Sequence, residues 1–240
     1  MPRSLAKVRL ILLLLCSSLV AFRLMAAPVP VYRAKAFEDW LSGWDKPVDP
    51  VGGCRFDRER SRLTIRLPKG HSREAGLWKG RKDVPHILRE IEGDFDVQVR
   101  ITGEFELPED ICGHGNPRKV GLMLDAGKTG CFSERSTWMN GQWTHLFSPS
   151  YLKPSGETTC GCELEPRGAR TYHRLSRRGD RVRMAVSLDG KKWCQLRELE
   201  EMSVLPRVVK VGVFAWKSGP IPFKAVFDEF KFTRPRSRSD

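Results

Sequence analysis

The stretch Phe95-Asp-Val-Gln-Val-Arg-Ile-Thr-Gly-Glu-Phe105 decides the fold class. Phe95, Val97, Val99 and Ile101 fall on one side of an extended chain, and Asp96, Gln98, Arg100 and Thr102 on the other. Side chains of a strand alternate between faces, so this period of two predicts a strand with one dry side and one wet side. Working outward, Arg62-Leu-Thr-Ile-Arg-Leu67 repeats the pattern and stops at Pro68. Val120-Gly-Leu-Met-Leu124 is a shorter apolar run. Downstream, Thr171–Leu175, Val182–Leu188, Lys192–Leu196, Val208–Ala215 and Phe223–Phe232 all carry strand signals. Asp189-Gly190 lies between two of them and predicts a hairpin turn, because such a turn needs positive φ. The last run slips phase at Asp228-Glu229, which predicts a β-bulge. Pro85–Ile91 fits either a helical turn or an irregular strand. Residues 69–83, which contain Trp78, read as a loop, and residues 127–160 read as irregular. Many short strands joined by turns, with no long helical period, predict an all-β sandwich or barrel.

The N-terminus addresses the compartment. Arg3, Lys7 and Arg9 precede the apolar run Leu10–Phe22, and the small residues Ala26 and Ala27 follow. Basic start, apolar middle and small-residue end are the parts of a secretory signal peptide. The apolar part is short of the about 20 residues that span a bilayer. The expectation is therefore a signal peptide at 1–27 and an extended lead-in at 28–43. A single sandwich domain at 44–233 and a basic tail at 234–240 complete the chain. The mature protein is expected outside the cytoplasm, secreted or periplasmic, with no stable membrane span.

Export changes how the cysteines read. Seven are present, and Cys16 would leave with the leader. Cys54, Cys112, Cys131, Cys160, Cys162 and Cys194 remain, an even set that predicts disulfides in an oxidising compartment. Cys160 and Cys162 stand too close to bond each other easily, and Cys131 and Cys160 would tie down the irregular segment. Zinc is the rival reading, but its usual Cys-x-x-Cys pairs are missing.

The 240 residues carry 42 Lys and Arg against 29 Asp and Glu, a net charge of +13, which loss of the leader lowers by four. Spread over outward strand positions, such charge keeps a protein soluble. No interleaving of basic and aromatic residues suggests base stacking, so no nucleic-acid partner is expected. Motifs for catalysis are also missing. Glu90, Glu92 and Asp94 alternate, but Gly93 sits among them and the run precedes the long strand, so a turn is the simpler account than a glycosidase acid pair. There is no Gly-x-Ser-x-Gly elbow and no His-x-x-x-His pair among His71, His86, His114, His145 and His173. Asp94, Asp125 and Asp228 are too scattered to predict calcium. No metal and no cofactor are expected.

Several segments together resemble the DUF1349 family. They are Pro85-His-Ile-Leu-Arg-Glu-Ile-Glu-Gly-Asp-Phe95, Leu175-Ser-Arg-Arg-Gly-Asp180, Ser187-Leu-Asp-Gly-Lys-Lys-Trp193, Val209–Ala215 and Phe227-Asp-Glu-Phe-Lys-Phe-Thr233. The likeness runs from about Trp44 to Thr233, with a poorer fit over 106–170, which therefore reads as a cysteine-rich insertion. It implies a concanavalin A-like jelly-roll of two antiparallel sheets, in a family whose members often sit beside carbohydrate-active partners. Fold does not settle function. The reading that follows is a secreted, non-catalytic module for carbohydrate or cell-surface glycan. The alternatives are a glycan hydrolase with an unrecognised carboxylate pair and a structural envelope protein without ligand. Sugar rings stack on aromatic faces while their hydroxyls seek polar side chains. On that basis Trp78, Tyr172, Arg174 and Trp216 are ligand candidates, with Arg89 added from the family-like segment. Trp193 reads as structural. Oligomeric state is left open.

Overall fold

The computed structural model describes residues 43–70, 84–105, 118–127, 129–137, 145–153, 156–159, 170–199 and 205–235, with backbone alone for 145–153, 156–159 and 197–199. Thirteen strands follow in order: β1 (Arg55–Glu59), β2 (Arg62–Leu67), β3 (His86–Glu92), β4 (Phe95–Gly103), β5 (Arg118–Asp125), β6 (Gly130–Thr137), β7 (His145–Lys153), β8 (Gly156–Thr159), β9 (Arg170–Arg178), β10 (Arg181–Ser187), β11 (Cys194–Leu199), β12 (Val208–Lys217) and β13 (Phe223–Thr233). They pair into a seven-stranded sheet, β1-β2-β13-β4-β9-β10-β11, and a six-stranded sheet, β3-β12-β5-β6-β7-β8. Every pairing is antiparallel. The chain is an all-β, jelly-roll sandwich of two antiparallel sheets.

Alternation builds the core. Phe95, Val97, Val99 and Ile101 of β4 are fully buried, as are Leu63 and Ile65 of β2 and Val182 and Met184 of β10. They meet Val120, Leu122 and Leu124 of β5 and Val209, Val211 and Val213 of β12 in one cluster between the sheets. Trp44, just before the first strand, joins it edge-on to Phe230 at 5.3 Å between ring centroids. The expected bulge is present: the register of β13 against β4 shifts between Asp228 and Lys231, and Glu229 has φ +48°. It lets Phe227 and Phe230 both face inward although they are three residues apart. Gly190, at φ +71°, makes the expected turn before β11.

Of the two readings of Pro85–Ile91, the structure takes the strand: β3 pairs with β12 from Glu92↔Val208 to His86↔Phe214. Two other readings change. The described part of 127–160 is not irregular, because β6, β7 and β8 lie there and form half of the six-stranded sheet. And β1 was not foreseen, since Phe56 is its one apolar residue. The miss at β6 has a physical cause. Gly130-Cys-Phe-Ser-Glu-Arg-Ser-Thr137 is buried along its whole length, yet mostly polar. Its polar groups are partly paired in the interior, with Glu134 Oε2 left without a hydrogen-bond partner among the described residues. Ser133 meets His173 (2.9 Å), Glu134 takes Lys119 (3.0 Å), and the Arg135 guanidinium lies 3.8 Å over the Phe105 ring. Buried polar groups persist when paired in this way.

Residues 1–42, 71–83, 106–117 and 160–169 fall outside the described residues, and with them the expected signal peptide, Trp78, Cys112, Cys160 and Cys162. Of the other cysteines, Cys54 precedes β1, Cys131 is buried in the core and Cys194 is exposed at the start of β11. No disulfide joins these three to one another. If all six form bridges, each of the three pairs with one of Cys112, Cys160 and Cys162. Among the described residues no helix is long and apolar enough to cross a membrane.

Candidate functional site

The outward side of the seven-stranded sheet is where alternation delivers polar side chains. Cross-strand register sets them in rows. One row holds Arg100 of β4, Tyr172 of β9 and Ser187 of β10; the next holds Gln98, Arg174, Ala185 and Gln195; a third holds Asp96, Ser176 and Arg183. The last two rows, Gln98 excepted, line a depression of about 290 Å³ together with Arg178 and Trp193. Its floor is Ala185, whose small side chain leaves room between Arg174 and Gln195.

Arg174 is the organised element. Its guanidinium lies 3.8 Å over the Trp193 ring, a stacking geometry that attracts a cation to an aromatic face. Its Nη2 donates to Gln98 Oε1 at 3.2 Å, and Gln98 is itself buried. Burial pushes the Arg174 pKa down, and Asp96 opposes that; the group still stays charged, as arginine does. Arg178 closes one end by donating to Asp96 (2.6 Å) and to the Phe95 carbonyl (3.0 Å). Tyr172, 9% exposed, sits one row away against Gly190.

A second, wider hollow of about 720 Å³ opens on the same sheet, lined by Glu59, Arg60, Ser61, Arg62, Arg100, Asp228 and Glu229. Its Arg100 is matched by two carboxylates. Arg100 donates twice to Asp228, at 2.6 and 2.9 Å, and lies 2.6 Å from Glu229. These bonds hold the Arg100 pKa above its ordinary value.

The structure divides the sequence-derived candidates. It brings Tyr172 and Arg174 to adjacent rows of one face. Trp216 is on the other side of the sandwich, on the outward side of the six-stranded sheet, half-buried against a separate cluster of Val84, Leu88, Met123, Phe132 and Phe214. Arg89 sits on β3 with its guanidinium against Gly43, and burial lowers its pKa. Trp78 is outside the described residues. Trp193, read as structural, instead stands half-exposed in the wall of the depression. Gln98, Ser176, Arg178 and Arg183 were not singled out. Their signal was available: they are outward positions of strands whose phase was already readable.

The acids considered for hydrolysis have other tasks. Glu90 and Glu92 are exposed on the edge strand β3, near Lys210 (3.8 Å) and Arg207 (2.5 Å), and Asp94 accepts from the Gly179 amide (2.7 Å).

No family model matches the chain, and no curated protein does. Solved structures do. A functionally unknown protein from Saccharomyces cerevisiae superposes with TM-score 0.62 at 18% identity, over 81% of this chain and 98% of that one. The GH43 BlXynB protein from Bacillus licheniformis gives 0.54 at 12% identity; this chain spans 80% of itself but 39% of that protein. The exoplasmic/lumenal domain of VIP36 in a Ca2+/Man-bound form gives 0.50 at 11% identity, over 82% and 84%. At these identities the likeness is one of fold, shared by a lectin and a glycoside hydrolase family protein.

Proposed function

We propose that this chain is a secreted, non-catalytic carbohydrate-binding module of the DUF1349 type. Its ligand seats in the depression that Arg174 and Trp193 line together. The observation that carries the reading is the composition and rigidity of that depression. An indole wall, a small floor and fixed Arg, Gln, Ser and Asp groups match what a sugar needs, with apolar contact to ring faces and directed bonds to hydroxyls. Stacking and the Gln98 bond hold Arg174 before any ligand arrives, which reduces the ordering cost of binding. Tyr172 lies one row away on the same face, where it is hydrogen-bonded with Arg100. Export through the 1–27 leader and disulfides among the six remaining cysteines belong to the same proposal. VIP36, a mannose-bound neighbour of this fold, supports the ligand class by analogy alone.

The test is a broad glycan array with the mature protein, residues 28–240, followed by calorimetry on any hit. Trp193→Ala is expected to weaken binding about tenfold or more, the scale of a lost stacking contact of about 1.5 kcal/mol. Binding that is indifferent to Trp193→Ala and to Arg174→Gln would remove the site. A silent array would remove the function.

A further inference from the structure

We propose that the depression is an acceptor for acidic sugars, with Arg174 receiving the carboxylate of a uronate residue. The inference rests on the carbohydrate reading above and names its ligand class.

The argument is a comparison of arginines on one face. Arg100 is answered by the carboxylates of Asp228 and Glu229. Arg178 is answered by Asp96. Arg66 is answered by Asp57 (3.0 Å), and Arg62 lies 3.8 Å from Asp228. Arg174, between these in the same sheet, makes its direct contacts with neutral groups, the amide oxygen of Gln98 and the ring of Trp193, while the Asp96 carboxylate acts on it at longer range. It is nonetheless half-buried. Withdrawing a charge from water is costly unless an opposite charge or strong acceptors replace the solvent. The sheet spends acids on the neighbouring cations and sets neutral holders around this one.

Those holders also fix its orientation. Stacking on Trp193 sets the guanidinium plane, and the Gln98 bond uses one of five donors in a planar fork. Two parallel donors on such a fork match the two oxygens of a carboxylate. Arg183 shares the lining and adds positive potential, while Asp96 is already engaged by Arg178. Around the carboxylate position, Ser176 and Gln195 are placed to meet sugar hydroxyls, and the Trp193 edge is placed to meet the ring. About 290 Å³ suits one or two sugar units rather than a long chain buried end to end. A partly buried pair of this kind is screened less by salt than a surface pair, so binding should survive ionic strengths at which the Debye length falls to several ångströms.

The experiment uses short oligomers of galacturonate, glucuronate and mannuronate, each with its methyl ester, titrated calorimetrically into mature protein at low and high salt. The ester keeps the ring and removes the charge. At least one acid is expected to bind about tenfold or more tighter than its ester, a difference of about 1.4 kcal/mol. That preference should persist at high salt and vanish in Arg174→Gln. Arg174→Lys should recover only part of it, because lysine keeps the charge without the fork. Arg62→Gln, on the same face but outside the depression, is the control for bulk positive charge and should keep the preference. Thermal unfolding of each variant checks that it folds. Acid and ester binding equally, with both lost in Trp193→Ala, would overturn the uronate inference and leave the carbohydrate reading standing. Preference lost equally in Arg62→Gln, or abolished by salt, would overturn it in favour of diffuse attraction. Neutral glycans bound elsewhere, or no saccharide bound at all, would overturn both.

Discussion

His173 should make the fold acid-sensitive well above the range where carboxylates titrate. It lies on β9 facing the other sheet and is fully buried. Its Nδ1 is 3.0 Å from the Ser133 carbonyl oxygen and 2.9 Å from the Ser133 hydroxyl. A carbonyl can only accept, so Nδ1 carries the proton of the neutral ring. Nε2 is left as acceptor, 3.4 Å from the Thr171 hydroxyl. Burial drives the pKa down from 6.5 to about 3, with the Ser133 carbonyl opposing and Arg135 adding to the drop. The unfolded chain therefore takes up a proton between pH 6.5 and 3 that the folded chain refuses. Stability from this group is complete above its unfolded pKa and falls as the pH drops through that window. At about 1.4 kcal/mol per unit of pKa difference, lowering the pH from 6.5 to 4.5 should remove about 2 kcal/mol. That is a substantial share of the about 5–15 kcal/mol typical of a folded domain. Urea unfolding at half-unit intervals from pH 4.5 to 8 measures it. His173→Gln lowers stability at every pH, but its curve should be flatter than the wild type by that amount. Comparing slopes also removes the contribution of His86, whose pKa burial likewise lowers. Parallel curves would refute the assignment.

Gly121→Ala should be severe, because a Cβ there would stand 2.1 Å from the Ser133 carbonyl oxygen; a loss of about 2 kcal/mol or more, or insoluble protein, is expected in thermal unfolding, and near-native stability would contradict it. Asp228→Asn removes the charge that answers Arg100 on both nitrogens; a cost of about 1.5–3 kcal/mol is expected from denaturant titration, the scale of charged hydrogen bonds. Arg60, exposed at φ +39° between β1 and β2, should gain up to about 1 kcal/mol as Arg60→Gly, because glycine tolerates that backbone. Peptide mapping of the secreted protein without reductant should find Cys54, Cys131 and Cys194 each joined to one of Cys112, Cys160 and Cys162; six alkylated thiols would overturn the disulfide reading.

What the sequence disclosed follows from how each strand is used. β2, β4 and β10 have one face in the core and one in water, so hydropathy alternates and their phase is plain. Phase tells which side chains of these strands point outward, and pairing register then sets them in rows. What was hidden is that β11 begins only at Cys194, so Trp193, read within a strand over Lys192–Leu196, belongs to the turn before it and strand alternation does not set which way it points. β6 was invisible for a different reason: both its faces are buried, and polar partners rather than hydrophobic ones answer Ser133 across the sheets at His173 and Glu134 within its own sheet at Lys119. Pairing of that kind links residues far apart in sequence, such as Ser133 with His173. Pro149 within β7 masked that strand as well. The candidate site was half legible, in Tyr172 and Arg174, and the distant Trp216 shows that exposed aromatics alone do not define one surface.

The bulge in β13 has an evolutionary corollary. Before it, Phe223, Ala225 and Phe227 point inward; after it, Phe230 and Phe232 do. Remove Glu229 and the two phases merge into one unbroken alternation: Asp228 still points outward to Arg100, and both later phenylalanines still point inward. Elsewhere in this strand the loss of one residue would turn every following side chain to the wrong face. At this position the chain can shorten by one and keep its pattern, surrendering only the Glu229 carboxylate and a local twist. Length variation among natural versions of this strand should therefore gather at one point, between Asp228 and Phe230.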